Sequence, residues 1–172
     1  MFTSALACLL NSRISTIASV AGAAFVGAFS NGYLTHPTAV LTINGTIDGT
    51  HPYNGLSGIY FSVADINNFW TANNNTDITS IITQIPNTNV SDGSTVERYS
   101  WQNGDGCVSV EELKIINGDH DWPSPLSFWT HQDINAKLEV WNFISKFDIM
   151  GLIDSNPATA FNRECERSNV VA

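Results

Sequence analysis

The chain has 172 residues, 43% hydrophobic and 13% charged, a balance that suits one packed domain and excludes a disordered chain. Its formal net charge is −9, from 16 acidic and 7 basic residues. With no basic run to meet a phosphate backbone, no nucleic acid is expected as a partner. No stretch reaches the roughly 18 uninterrupted apolar residues of a membrane span, so no membrane partner is expected either.

Residues 2–10 (FTSALACLL) read as a buried helix that ends at Asn11. The rival reading, a secretory leader, is weaker, because no basic residue precedes this stretch and Asn11, Ser12 and Arg13 interrupt it. Residues 14–20 form a short apolar run with β-branched members, the pattern of a buried strand. Residues 22–35 read as loop. Residues 38–43 (TAVLTI) predict a second buried strand after Pro37, ended by the turn-forming sequence NGTIDG.

Val63, Ile66, Phe69 and Trp70 recur at helical spacing, so residues 62–72 predict a helix. Residues 77–93 are polar, contain Pro86 and read as a surface loop. Residues 96–101 and 108–116 flank a Gly-rich stretch and predict a hairpin. Residues 117–130 read as loop. Residues 134–147 (INAKLEVWNFISKF) predict an amphipathic helix that buries Leu138, Val140, Trp141, Ile144 and Phe147. Strands alternating with helices make this an α/β domain, with a mostly parallel sheet flanked by helices. It is expected to span residues 1–153, with a flexible tail over residues 154–172.

In an open α/β sheet, functional groups sit beyond the carboxyl ends of the strands. Asp48 follows the strand at residues 38–43, and His120 follows the strand at residues 108–116 through Asn117, Gly118 and Asp119. If those strands are parallel, both loops leave at one edge. A carboxylate that orients an imidazole, with the imidazole as general base, is the second half of a Ser-His-Asp triad. The order Asp before His is that of the α/β hydrolases.

The segments around these residues resemble the polyhydroxybutyrate depolymerase and feruloyl esterase family. INGTIDGTHPYNG (residues 43–55) is similar to its His-Gly-Thr-x-Asp and Pro-Tyr-x-Gly segment, and IINGDHDWPSP (residues 115–125) to its Gly-Gly-Gly-His-x-Trp-Pro-Gly segment. Residues 132–147 resemble the closing helix, and residues 1–23 resemble the helix and strand that follow the nucleophile elbow. The resemblance covers residues 1–153 and implies the C-terminal part of an α/β-hydrolase fold. Asp48 would be the triad acid, His120 the general base, and Trp122 with Pro123 would shape the His120 loop, where Trp122 could line a substrate cleft. It also implies a polymer or plant polysaccharide ester as substrate, no cofactor, no metal, and a secreted parent whose export signal lies upstream.

The chain departs from that pattern. Asn44 stands where the family has His, and Asn117, Asp119 and Ser124 stand where it has Gly. The elbow itself, Gly-x-Ser-x-Gly, occurs nowhere in the sequence. Ser4 lies within a predicted helix rather than on a strained turn and is rejected as nucleophile. The chain is therefore expected to be inactive alone. The alternative is a non-catalytic binding or interaction module derived from an α/β hydrolase.

Other readings are weaker. Asn103, Asp105, Gly106 and Glu112 have calcium-loop spacing, but Trp101 occupies the first ligand position and a strand follows where a helix is needed. Trp70, Trp101, Trp129 and Trp141 read as core or rim aromatics. His51 and His131 read as surface residues, and His36, before Pro37, as structural. The three cysteines, Cys8, Cys107 and Cys165, do not define a disulfide framework, although one bridge suits an exported protein.

Overall fold

The computed structural model describes residues 2–29, 34–126 and 131–153. The proposed tail at 154–172, Cys165 and Trp129 lie outside the described residues. Five strands, β1 (Thr16–Val20), β2 (Ala39–Gly45), β3 (Ile81–Ile85), β4 (Thr95–Trp101) and β5 (Val110–Ile116), form one sheet in the order β1-β2-β5-β4-β3. The pairs β1–β2 and β2–β5 are parallel, while β5–β4 and β4–β3 are antiparallel. Only β4 therefore runs against the other four, and the domain is α/β with a mostly parallel sheet. A two-stranded ribbon of β6 (Phe147–Asp148) and β7 (Gly151–Leu152) closes the described chain.

Among the described residues, three α-helices cover the sheet in two layers. Along β2 the side chains alternate between faces. Val40 packs with Ile17 and Val110 beneath α1 (Phe2–Leu9) and α2 (Val63–Asn74), contacting Ala7, Cys8, Ile66 and Trp70. Ala39, Leu41 and Ile43 pack with Leu113 and Ile115 on the other face, beneath Ala136 and Phe143 of α3 (Ala136–Ile144). Because both faces are covered, every residue of β2 is buried. This is why β2 reads as a continuous apolar run.

Local chemistry sets the helix limits. Ser62 caps α2 in a reciprocal capping box with Asp65, and Asn75 ends it in the left-handed conformation. Asn135 caps α3 through the amide of Leu138.

Two expectations need correction. Residues 81–85 are a strand, not a loop. β3 is an edge strand with Ile81 and Ile82 both exposed, held by its ladder to β4 rather than by burial, so it has no one-faced apolar pattern. The buried stripe of α3 is also rotated from the expected one. Ala136 and Phe143 are buried, with Val140 and Ile144 packed beside them, whereas Leu138 and Trp141 are 52% and 64% exposed. In this phase Glu139 forms an ion pair with Arg98 (2.5 Å). Phe147 is buried, but from β6, because α3 stops at Ile144.

Candidate active site

β2 and β5 are adjacent, parallel and central, so the turns that follow them leave the same edge of the sheet. The two turns are joined through backbone. Thr46 N–H donates to Ile115 O (2.9 Å) and Ile47 N–H to Gly118 O (2.8 Å). Asn117 N–H donates to Thr46 Oγ1 (2.9 Å). A Cβ on Gly45 would lie 2.3 Å from Gly118 O, and one on Gly118 would lie 2.9 Å from Gly45 Cα. The close approach thus requires glycine on both sides.

The sequence-predicted pair meets across this junction. His120 Nδ1–H donates to Asp48 Oδ2 at 2.9 Å. The Asp48 side chain is fully buried, and that of His120 is 37% exposed. The second carboxylate oxygen of Asp48 accepts the amides of Thr50 (2.8 Å) and His51 (2.7 Å), which fixes the carboxylate in its turn. With Nδ1 committed as donor, the lone pair of His120 is on Nε2 of a side chain that is partly exposed. A buried carboxylate and a partly exposed imidazole in the Nδ1–H tautomer together can accept a proton from a nucleophile and return it to a leaving group.

The loop bearing His120 is tightly organised. Asp119 Oδ1 accepts the His120 amide (2.7 Å), and Asp121 Oδ1 accepts the Trp122 amide (2.7 Å). Pro123 is buried, and its carbonyl accepts Ala136 N–H (2.9 Å) at the start of α3. Trp122 itself is 54% exposed, two residues from His120. Asn44 is buried, and its amide donates to Gly22 O (3.0 Å), bracing the end of β1 instead of joining the pair.

Two histidines expected at the surface are elsewhere. His51 is half-buried. Its Nδ1–H donates to Ala21 O (2.8 Å), and its ring lies edge-on to His120 at 5.0 Å and to Tyr60 at 5.5 Å between centroids. His131 is fully buried, and its Nε2 accepts Asp119 N–H at 2.9 Å. Burial holds the His131 pKa below its ordinary value, against the carboxylates of Asp121, Asp92 and Asp119. The sequence carried a signal for His51, which lies inside the segment that bears Asp48. It carried none for His131, whose burial depends on the chain returning beneath the loop.

A second buried carboxylate lies on β5. Glu112 accepts from the Tyr53 hydroxyl and from Asn67 Nδ2 (2.8 Å), and Asn67 Oδ1 accepts from Thr42 Oγ1 (3.2 Å). Burial raises the Glu112 pKa above the usual carboxylate value, although Tyr53, Lys114 and Asn67 oppose it. The calcium-like spacing is dispersed by this arrangement. Glu112 turns toward α2, while Asn103 donates to Asp77 (2.7 Å) and Asp105 accepts from Asn75 (2.6 Å). Among the described residues, no cluster of three or more His, Cys, Asp or Glu side chains is arranged to hold a metal ion. Ser4 is buried in α1, on a regular helix and not on a turn. No family model matches the chain, and neither does any curated protein.

Proposed function

We propose that Asp48 and His120 are the acid and base of a Ser-His-Asp triad, and that this chain is the C-terminal part of an α/β hydrolase that cleaves carboxylic esters. The observation that carries this reading is the bond from His120 Nδ1–H to the buried Asp48 carboxylate, at the shared carboxyl edge of β2 and β5. In the reaction, a serine hydroxyl attacks the ester carbonyl while His120 Nε2 takes its proton. The imidazolium, stabilised by Asp48, then gives that proton to the departing alcohol. Water repeats the sequence on the acyl-enzyme, and no cofactor takes part.

The nucleophile is not in this chain, since no Gly-x-Ser-x-Gly occurs in its sequence, so the chain alone is inactive. Among the described residues β1 has one strand partner, β2, so its other edge is open to the strand that would deliver the elbow. The exposed Trp122, two residues from His120, would form a wall for a polymer or plant polysaccharide ester, as the resemblance to polyhydroxybutyrate depolymerases and feruloyl esterases implies. A disulfide at Cys107 suits a secreted parent.

The test is to translate the DNA upstream of the Met1 codon in frame and to assay the encoded protein. A Gly-x-Ser-x-Gly segment and hydrolysis of p-nitrophenyl butyrate or methyl ferulate are expected. Substituting His120→Ala should cut kcat by about 10³-fold or more. An in-frame stop in place of the elbow, or an esterase indifferent to His120→Ala, would overturn the reading in favour of a non-catalytic module.

A further inference from the structure

We propose that His131 is a positioning residue for His120, a neutral imidazole whose lone pair locks the His120 turn and which unlocks that turn on taking a proton. The inference rests on the reading of Asp48 and His120 as the working pair, because it concerns how one of them is held.

The geometry assigns the tautomer. A backbone N–H can only donate, so the bond from Asp119 N–H to His131 Nε2 (2.9 Å) requires a lone pair on Nε2. His131 is then a neutral acceptor, fully buried under the turn. The amide it receives belongs to the residue whose carboxylate accepts the His120 amide (2.7 Å), so the acceptor is one residue removed from His120. The backbone of His131 secures the far end of the same loop, accepting Ser124 N–H at its carbonyl (3.2 Å). One residue therefore fastens the His120 loop at Asp119 and again at Ser124.

The anchor is itself fixed. Gln132 N–H donates to Asp92 Oδ2 (2.8 Å). Asp133 Oδ1 accepts the amides of Thr88 (2.6 Å) and Asn89 (3.1 Å). Ile134 belongs to the core beneath α3. His131 has a φ of 76°, in the left-handed region that non-glycine residues adopt infrequently.

Protonation reverses the contact. A proton on Nε2 would set one donor against another at the Asp119 amide, in a site closed to water, and the bond would have to open. The charged groups facing His131 are Asp119 and Asp121 on the His120 loop and Asp92 on the loop before β4. They favour the imidazolium, but burial outweighs them and keeps the ring neutral at neutral pH. Acid is therefore expected to release Asp119 N–H, then the turn, and with it the His120–Asp48 bond.

The experiment is imidazole and amide NMR on the full 15N-labelled chain, with no dependence on ester hydrolysis. Long-range 15N–1H spectra should show His131 protonated on Nδ1 and His120 Nδ1–H protected from exchange. In His131→Leu, exchange of the Asp119 amide should speed by about tenfold, the loss of one hydrogen bond, and protection of His120 Nδ1–H should fall. His131→Gln offers an oxygen acceptor that does not titrate. It should keep the protection and extend it to lower pH than in the wild type. An Nε2–H tautomer at His131, or unchanged protection in His131→Leu, would overturn the proposal. If His131→Leu does not fold, His131→Gln decides, since loss of His120 protection at the wild-type pH would also overturn it. An esterase indifferent to His120→Ala, combined with the expected NMR behaviour, would sink the catalytic reading and leave the lock standing.

Discussion

Two buried carboxylates on neighbouring strands are held in different ways. Asp48, just beyond β2, accepts two backbone amides and an imidazole, and the imidazole is partly open to solvent. Glu112, in the middle of β5, accepts a phenol and a side-chain amide beneath α2. The first is fixed by its own turn and faces a group that can exchange protons with a substrate. The second is fixed by side chains from other elements and is hydrogen-bonded only to the Tyr53 hydroxyl and the Asn67 amide, with the charges of Lys114 and Glu97 acting on it from nearby. Burial alone therefore does not mark a functional carboxylate. What sets Asp48 apart, and supports its proposed role, is its position at the carboxyl edge of parallel strands with a partly exposed imidazole partner.

The sharpest way to break this comparison is to neutralise each carboxylate without changing its shape. In Asp48→Asn the amide oxygen would still accept from Thr50 and His51, so its NH₂ would face His120 Nδ1. The imidazole would switch to the Nε2–H tautomer and lose its basic lone pair. In the proposed full-length esterase kcat should fall by about 10³–10⁴-fold, with little change in thermal stability. Glu112→Gln should change kcat by less than about threefold, the scale on which sites without shared partners stay independent. Equal losses in the two variants would erase the distinction.

Stability should respond in the opposite sense. Glu112→Leu leaves the Tyr53 hydroxyl and the Asn67 amide buried without an acceptor. Urea denaturation should show a loss of about 2–4 kcal/mol, from the roughly 1–3 kcal/mol that each orphaned group costs. The pH dependence has a definite sign. Burial raises the Glu112 pKa in the folded protein, so the folded state holds this proton more tightly than the unfolded chain. Its contribution is favourable in acid and is lost as pH rises from about 4.3, the unfolded value, through the raised folded value. His131 has the opposite sign. Its lowered pKa gives a contribution that is full above about pH 6.5 and is lost as pH falls toward the folded value. Glu112→Gln should remove the first slope and His131→Gln the second, as read from denaturation midpoints across pH 4–8.

The sequence made one of these carboxylates readable and not the other. Asp48 follows a largely apolar run and His120 a strand whose apolar residues are interrupted by Glu111, Glu112 and Lys114; β2 and β5 are central strands covered on both faces, and each residue is set in a turn rich in Asn, Gly and Asp. Glu112 sits inside the second of these strands, VEELKII, where spacing suggests only a calcium ligand. Its partners Tyr53 and Asn67 come from 59 and 45 residues away, and a local pattern does not encode such contacts. His131 was hidden for the same reason. β3 was missed because an edge strand held by its ladder has no buried face to impose alternation. The stripe on α3 was misjudged because Leu138 and Trp141 form an apolar stripe as regular as that of Ala136, Val140 and Phe143. The choice between them lies in contacts with the sheet, the core beneath Ala136 and Phe143 and the ion pair of Glu139 with Arg98 of β4, which come from elsewhere in the chain.

The smallest effect tests whether the two regions are independent, because one segment serves both. Tyr53 lies in the loop that begins at Asp48, and its hydroxyl reaches Glu112. Tyr53→Phe keeps the ring under Lys114 and removes one donor from a carboxylate that retains Asn67. The expected cost is about 1 kcal/mol, seen as a shift in the urea midpoint at constant slope. If the Asp48 turn is held by its own amides and by the Gly45–Gly118 approach, the His120 Nδ1–H resonance and kcat should stay within about twofold of wild type. A larger fall in kcat at unchanged fold would mean that Glu112 steadies the Asp48 turn through Tyr53. The interior carboxylate would then be part of the support of the proposed catalytic pair, and the boundary between the two regions would have to be redrawn along the loop that joins them.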